Sequence, residues 1–518
     1  MTLPWLTILG LLPLVGSGVV FAVRGRGGRS VAMAFSLATL VVGVAAFFMT
    51  GLTEQVRWIP TIGAWYALDL DGMAKLLVLL TVILVPIVLL AEWHLGEERP
   101  AAAPQAPAGA TGGSVAVASR WSGETFAALA LLLESFTLYV FMAQDLLLFY
   151  IVFEATLVPM YFLIAGWGGP RRVAAALKFL LFSLAGGFVL LVGVIGMYVV
   201  STRTRAPSLL TAELTGLPMG EWTGRWLFIS FFAAFAVKAP MFPVHSWLPD
   251  AAEQARPGAS TLLVATLDKI GTFGMIRFCL AFFPEASRWA TPFVMTLAVI
   301  SILYGALMAI GSKNLLRLVS YTSVSHFGFM VLGIFALTTS SLSGSIFYML
   351  AHGLSAAAMF LVVGFLVDRR GSALIADYGG AQKLVPVLAG VFLTAGLATL
   401  GLPATANFVG EFLIMAGAWQ HHLVLVAVAV VATVLAALYV LLAYQRVFTG
   451  PPTEQSTRHL RHDLDAREKL VIAPLIVLIL FFGIVPGPTL KVTHSTASQA
   501  MTQMAATDPQ PSVPTGSR

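Results

Sequence analysis

Apolar runs of about 18 to 28 residues, separated by short polar breaks, recur along almost the whole chain. A helix crosses a hydrocarbon core ~30 Å thick with ~20 residues, so each run is long enough to span a membrane. Charged residues make up only 10% of the 518 residues, whereas a soluble domain carries roughly 25%. The sequence therefore predicts an all-α polytopic membrane protein. The ~10-residue alternating segments of a membrane β-barrel are not seen.

Fourteen transmembrane helices are predicted from these runs. They cover about residues 3–23, 31–51, 73–93, 125–143, 146–166, 173–200, 226–248, 259–283, 290–311, 314–337, 343–367, 384–420 (interrupted), 423–447 and 469–486. Of the lysines and arginines between them, 18 lie on the Arg24 side of the membrane and 7 on the other. The positive-inside rule then places both termini outside the cytoplasm.

Composition also excludes several kinds of site. Cys279 is the only cysteine, which rules out disulfides, thiolate-held iron–sulfur clusters and cysteine zinc sites. The histidines show no metal-ligand spacing, so no metal site is predicted. The net charge of +6 is explained by the loop lysines and arginines, and no nucleic-acid partner is expected.

Seven ionisable residues lie near the middle of apolar runs. A charge in hydrocarbon costs at least ~2.5–3.5 kcal/mol, so such groups are kept where they face one another, or where protons or ions move. They are Glu134, Glu154, Lys238, Lys269, His326, His352 and Glu411. We predict that they form a buried proton relay, with Glu134 as a helper acid or a packing partner.

Several of these groups also have a structural explanation. Glu154 and Lys238 form either a static buried ion pair or a switchable pair, in which Lys238 releases its proton when Glu154 moves or is neutralised. His326 and His352 are either core histidines bonded to backbone or relay groups, because imidazole titrates near neutral pH. The role of Asp268 is left open.

Two apolar runs contain helix breakers near mid-depth. Pro240 and Pro243 interrupt the seventh predicted helix, and Pro403, after Gly401, interrupts the twelfth. Proline removes a backbone donor and clashes with the preceding turn, and paired broken helices are typical of transporter repeats. We therefore predict two inverted five-helix repeats, helices 4–8 and 9–13, each with one broken helix.

The predicted organisation has five parts. They are three N-terminal helices (1–93), a flexible cytoplasmic loop (94–124), the first repeat (125–285), the second repeat (286–448), and a loop, last helix and polar tail (449–518). The tail beyond Pro488 is expected to be frayed.

Six motifs make the chain resemble the antiporter-like subunits of NADH:quinone oxidoreductase, respiratory complex I. They are FYIVFEATLVPMYFLI (149–164), FAVKAPMFPVHSWLPDAAEQARPGAS (235–260), LDKIGTFGMIRF (267–278), NLLRLVSYTSVSHFGFM (314–330), YMLAHGLSAAAMFL (348–361) and LGLPATANFVGEF (400–412). The resemblance is closest to the subunit M branch, the bacterial counterpart of mitochondrial NADH dehydrogenase subunit 4. Glu411 stands where the related L and N chains usually carry lysine.

The resemblance implies roles for the buried residues. Glu154 and Lys238 match the pair of the fifth and seventh helices, and Lys269 matches the central lysine of the eighth. His326 and His352 would connect Lys269 to a terminal group. The resemblance assigns that terminal role to Glu411.

The resemblance also implies a function. The chain would pump protons in a bacterial inner membrane, while NADH, FMN, iron–sulfur clusters and quinone bind partner subunits and no cofactor binds this chain. Neighbouring antiporter-like subunits L and N and the lipid bilayer would be its partners. Two alternatives stay open: a subunit of a multi-subunit sodium/proton antiporter without redox coupling, and a structural membrane scaffold.

Overall fold

The computed structural model describes residues 3–23, 27–96, 121–204, 206–506 and 508. Helices dominate it. The first nine are α1 (Trp5–Ala22), α2 (Gly27–Phe48), α3 (Gly72–Ala91), α4 (Gly123–Met142), α5 (Leu146–Ala155), α6 (Leu157–Gly166), α7 (Arg172–Thr204), α8 (Thr211–Leu214) and α9 (Glu221–Lys238). Between α2 and α3 the chain forms strands β1 (Thr53–Ile59) and β2 (Ala64–Asp69).

The second half contains longer helices and several short ones. They are α10 (Trp247–Gln254), α11 (Pro257–Thr261), α12 (Lys269–Gly274), α13 (Pro284–Gly311), α14 (Leu315–Phe335), α15 (Thr339–Arg370), α16 (Pro386–Thr399), α17 (Ala406–Trp419), α18 (Leu423–Phe448), α19 (Glu454–His459), α20 (Ala466–Ile484) and α21 (Gly487–Gln503). Two π-helical segments, Leu262–Leu267 and Met275–Leu280, flank α12.

Helical segments occupy every interval that the sequence predicts to cross the membrane. By length and composition, ten helices within the described ranges can span a bilayer, or eleven if the bent pair α20 and α21 is one span. The chain is therefore a mostly helical, multi-pass membrane protein. Three predicted intervals are not among these ten helices. They are the seventh and twelfth, which have mid-depth proline breaks, and the eighth, which contains π-helical turns.

The hairpin of β1 and β2 shows that the all-α prediction is wrong in one place. The strands pair antiparallel, with Thr53 opposite Asp69. The turn ends at Gly63, whose φ of 66° is left-handed, and a Cβ there would overlap the Pro207 carbonyl. Trp65 N donates to Asp145 Oδ2 over 2.9 Å, which ties the hairpin to the start of α5. Because it lies between apolar runs, hydropathy assigned this segment to a loop.

Helix α21 corrects the prediction of a frayed tail. Thr493, Ala497 and Met501, four residues apart, form its buried stripe, and Thr493 Oγ1 lies 2.7 Å from Ser343 Oγ of α15. The segment is too polar for a membrane run, so hydropathy did not reveal it. Residues 97–120, which form most of the predicted flexible loop, and residues 509–518 lie outside the described residues.

Both predicted helix breaks are present. Helix α9 ends at Lys238 and α10 begins at Trp247, with Pro240 and Pro243 between them. Helix α16 ends at Thr399 and α17 begins at Ala406, with Pro403 between them. The backbone groups at the breaks find protein partners, as hydrocarbon requires. For example, Phe242 N donates to Ser301 Oγ over 2.6 Å, and Leu402 N donates to Leu397 O over 3.0 Å.

A third irregular span was not predicted. The interval from Pro257 to Leu280 alternates between α-helical and π-helical turns around Lys269–Gly274. π-Helical turns are rare in proteins, and those that occur are often found at functional sites. Within this span, Val264 O accepts a hydrogen bond from Lys269 Nζ over 2.7 Å.

Helices α14 and α15 form the centre of the bundle. Their most apolar windows are 100% and 94% buried, whereas those of α2 and α18 are 28% and 33% buried. The peripheral helices expose leucine, valine and tryptophan outward, as lipid contact requires. Polar groups in the middle of α14 and α15, such as His326 and His352, are therefore enclosed by protein.

Charged residues join the helix ends on one side of the bundle. Arg256 donates to Glu92 Oε2, at 2.9 Å, and to Asp368 Oδ1, at 3.0 Å. Glu92 also accepts from Gly258 N over 3.0 Å. This cluster connects the end of α3, the start of α11 and the end of α15.

Arg256→Met tests the importance of this cluster. It leaves two carboxylates facing each other, so we expect unfolding to become easier by about 2–4 kcal/mol, below the ~3–5 kcal/mol of a fully buried pair, because Asp368 stays 28% exposed. Thermal unfolding of the detergent-purified assembly measures the effect. Arg446→Met, at an exposed arginine, is the matched control. Equal midpoints in the two variants would contradict the assignment.

A buried row of titratable side chains

The structure places the predicted site residues on seven different elements that surround the bundle centre. They are Glu134 in α4, Glu154 near the end of α5, Lys238 at the end of α9, Lys269 at the start of α12, His326 in α14, His352 in α15 and Glu411 in α17. Glu154 is half-buried and the other six are at most 5% exposed.

Lys269 and His352 are in direct contact. Lys269 Nζ lies 2.7 Å from His352 Nδ1 and 2.7 Å from Val264 O, above the ring of Phe327. An ammonium has no acceptor, so Nδ1 of His352 accepts from it. His352 Nε2 lies 3.2 Å from Ser323 Oγ. Both nitrogens of the imidazole are thus engaged, with a lysine on one side and a hydroxyl on the other.

A second contact group contains His326, Tyr348 and Glu411. The Tyr348 hydroxyl donates to Glu411 Oε1 and is also in hydrogen-bond contact with His326 Nδ1. His326 Nδ1 and Glu411 Oε1 are 3.5 Å apart. The rings of His326 and His352 are separated by 5.2 Å between centroids, so the two groups are neighbours.

Tyr348 was not identified in the sequence. Its hydroxyl is the shared partner of His326 and Glu411, and its ring is fully buried. The available signal is spacing: Tyr348 and His352 are four residues apart and lie on one face of α15. A tyrosine in an apolar run usually has a packing role, so the spacing alone did not identify Tyr348 as a site residue.

Glu154 and Lys238 are not in contact in this structure, which lacks the direct ion pair of the static alternative. The switchable pair stays a prediction. Lys238 Nζ has no hydrogen-bond partner among the described residues, and the same holds for Glu154 Oε1. The ammonium lies 5.5 Å from the ring centroid of Phe153 and 5.4 Å from that of Phe179. These rings offer it partial compensation through cation–π attraction.

Glu154 is positioned by a glycine. A Cβ at Gly187 of α7 would overlap Glu154 Oε1. The carboxylate therefore occupies space that only glycine leaves free. The SLAGG segment of α7, residues 183–187, therefore leaves room for the Glu154 carboxylate as well as for close helix packing.

Three polar groups in or beside this row have side-chain atoms without protein partners within the described part of the chain. Asp268 is fully buried, and neither carboxylate oxygen is hydrogen-bonded. His245, in the break after α9, packs on Tyr304 with ring centroids 4.9 Å apart, and its Nδ1 is unpartnered. Both oxygens of Glu134 are also unpartnered. His245 lies close to the end of the seventh predicted helix, so its depth in the membrane did not mark it as a site residue.

The described residues contain no group of three or more histidine, cysteine, aspartate or glutamate side chains arranged to hold a metal. The row consists of amines, carboxylates, imidazoles and a phenol. These groups can gain and lose protons. Lys238, Lys269 and Glu411 lie on broken or irregular helices, and His326 and His352 lie on the two central helices. This arrangement is typical of an antiporter-like membrane protein.

Comparison with known proteins agrees with this class. Residues 143–436 match the family model described as the transmembrane region of NADH:quinone oxidoreductase and Mrp antiporters. NADH-quinone oxidoreductase subunit M of Mycobacterium tuberculosis strain H37Rv is 44% identical, over 98% of this chain and 96% of the relative. Subunit M of Rhodobacter capsulatus is 36% identical, over 93% of each chain. The chain belongs to the NADH-quinone oxidoreductase subunit M family.

Solved structures show the same fold. A chain of respiratory complex I from Thermus thermophilus superposes with a TM-score of 0.84 at 29% identity, covering 96% of this chain and 99% of that one. A chain of the Mrp complex from Dietzia sp. DQ12-45-1b gives a TM-score of 0.83 at 23% identity, covering 97% and 98%. The second likeness concerns the fold alone.

Gly187→Ala tests how Glu154 is held. The added methyl group would displace the carboxylate without removing it, so we expect proton pumping per assembled complex to fall about tenfold, less than the ~100-fold or more for loss of a positioned proton-transfer group. Gly186→Ala is the matched control, because its Cβ would meet Val237 at an ordinary 3.4 Å. Pumping is measured as acidification or alkalinisation in vesicles per NADH oxidised. If both variants pump like wild type, Gly187 does not position Glu154.

Proposed function

We propose that this chain is a proton-translocating membrane subunit of NADH:quinone oxidoreductase. The observation that carries the proposal is the nearly continuous set of contacts from Lys269 to Glu411, enclosed in the bundle centre. Membership of the subunit M family supports it. Quinone reduction in partner subunits supplies the free energy.

The contacts suggest a sequence of proton transfers. Protonated Lys269 donates to His352 Nδ1. The proton then passes to His326, whose Nε2 is buried and has no partner among the described residues. His326 gives a proton to the Tyr348 oxygen as Tyr348 releases its own proton to Glu411, which leaves the phenol unchanged. Glu411 then releases the proton from the membrane.

Glu154 and Lys238 act at the start of this path. Lys238 is held near two phenylalanine rings without an ion-pair contact. A shift of Glu154 toward or away from it changes how strongly its proton is held. Each charge moved against the membrane potential costs ~2.3 kcal/mol per 100 mV, so this shift must be driven by the redox reaction. Glu134 is proposed as a helper acid on α4.

The inverted repeat is part of the proposal. Asp145 caps α5 by accepting from Leu147 N and Leu148 N, and Asn314 caps α14 in the same way. Each cap residue also forms an isolated antiparallel bridge, Asp145 with Leu210 and Asn314 with Leu374. This recurrence supports repeats over 125–285 and 286–448, each with a break, within fourteen transmembrane helices and the five predicted parts.

The polar groups of the two halves do not match position by position. Glu154 lies nine residues after its cap residue, and the position nine residues after Asn314 is Ser323, not His326. His326 lies one turn further along α14. The two halves therefore use different depths for their polar groups.

Partners and location follow from the same proposal. The neighbouring subunits would be the antiporter-like L and N chains of a bacterial inner membrane, with both termini of this chain outside the cytoplasm. NADH, FMN, iron–sulfur clusters and quinone would bind other subunits.

An Mrp-type sodium/proton antiporter subunit is the alternative that the fold favours next. Flavin and iron–sulfur absorbance in the purified assembly distinguishes the two.

Lys269→Met tests the proposed function. It removes the only ammonium that contacts His352 within the described residues, so we expect pumping per assembled complex to fall by about tenfold or more. Flavin and iron–sulfur content should stay normal. Lys469→Met, at an exposed lysine, serves as control. A scaffold role predicts instead less assembly and unchanged pumping per complex.

Tyr348→Phe tests the step to Glu411. Phenylalanine fills the same space but has no hydroxyl, so the proton path from His326 is interrupted while packing is kept. We expect at least a ~10-fold loss of pumping per complex. Tyr444→Phe is the control, since the Tyr444 hydroxyl makes no hydrogen bond within the described residues. Wild-type pumping by Tyr348→Phe would show that protons bypass the phenol.

A further inference from the structure

Asp268 is the buried acid that the proposed path leaves unused. It is 0% exposed and neither carboxylate oxygen has a hydrogen-bond partner among the described residues. An isolated buried carboxylate is costly, and a chain keeps one only beside compensating charge or for a purpose. Two lysines are close enough to supply that charge, Lys238 and Lys269.

The backbone directs Asp268 toward Lys238. A Cβ at Gly271 would overlap Ala239 N and approach Phe235 O, so this face of α12 packs directly on the end of α9. Residues three apart share a helix face, which places Asp268 on the side of Gly271. Lys269 is one position on and reaches away toward His352. Asp268 thus interacts with both lysines but is hydrogen-bonded to neither.

The electrostatic interactions agree with this placement. The Lys238 ammonium interacts electrostatically with both Asp268 and Glu154. Asp268 in turn interacts with both Lys238 and Lys269. The sequence predicted a single carboxylate partner for Lys238, whereas the structure supplies two, Glu154 and Asp268.

A static counter-ion would be arranged differently. Stable buried ion pairs are in direct contact and fully hydrogen-bonded, because the cost of desolvation is otherwise not offset. Asp268 makes no such contact with either lysine, and Lys269 directs its hydrogen bonds to Val264 and His352. The arrangement is that of groups able to approach and separate.

We infer that Asp268 is a relay carboxylate that links Lys238 to Lys269. Lys238 alternates between Glu154 and Asp268. Near Asp268 its ammonium donates a proton to the carboxylate, which leaves a neutral amine and a carboxylic acid. The acid then protonates the neutral amine of Lys269 and becomes a carboxylate again. No other reactant is needed, and this step deepens the proposed function.

Asp268→Asn and Asp268→Glu test the inference in the intact membrane-bound complex. Asparagine keeps the shape and cannot carry the proton, so we expect a ~10-fold or greater loss of pumping per assembled complex. Glutamate retains the acid and should restore at least half of the wild-type rate. Glu285→Gln, at an exposed acid, is the control. Normal pumping by Asp268→Asn, or no rescue by glutamate in a normally assembled complex, overturns the inference.

Two additions keep the result decisive. If Asp268→Asn does not assemble, Asp268→Ser replaces it as the variant that lacks an ionisable group, with the same two outcomes per assembled complex. Lys269→Met is measured beside them. If Lys269→Met loses pumping while the non-ionising Asp268 variant keeps it, this inference alone fails. If both pump normally, the proposed function itself fails.

Discussion

Hydrocarbon offers no hydrogen bonds, and this constraint organises the whole structure. Every backbone group freed by a helix break must be satisfied inside the protein. At the first break Phe242 N is satisfied by Ser301, and in the π-helical span Val264 O is satisfied by Lys269. The broken and irregular helices therefore turn their polar groups inward, so Lys238, Lys269 and Glu411 are buried inside the bundle.

The same constraint divides the buried row into two unlike parts. From Lys269 to Glu411 nearly every polar atom has a partner, which orders the side chains for proton transfer. Around Lys238 the ammonium and the carboxylates of Glu154 and Asp268 remain apart. Buried charges without a partner have a high electrostatic energy, so small movements of these side chains change that energy greatly. The unpaired part is suited to switching and the bonded part to conduction.

The candidate site was only partly predictable from the sequence. Ionisable residues in apolar runs are conspicuous because their burial is costly, so Lys269 and Glu411 could be found by depth alone. Tyr348 could not, because a tyrosine in such a run is ordinary packing until its hydroxyl is located. Asp268 was noticed beside Lys269, but its orientation depends on the close approach of Gly271 to α9. The separation of Glu154 from Lys238 likewise depends on side-chain positions.

By itself the sequence determined the membrane class, the approximate spans and the two proline breaks, because hydropathy and missing backbone donors act locally. The tertiary structure decided which charges meet, the hairpin of β1 and β2, and the docking of α21. The hairpin is held by contacts such as Trp65 to Asp145, and α21 by contacts such as Thr493 to Ser343. Those energies arise between residues far apart in the chain, so no local pattern contains them.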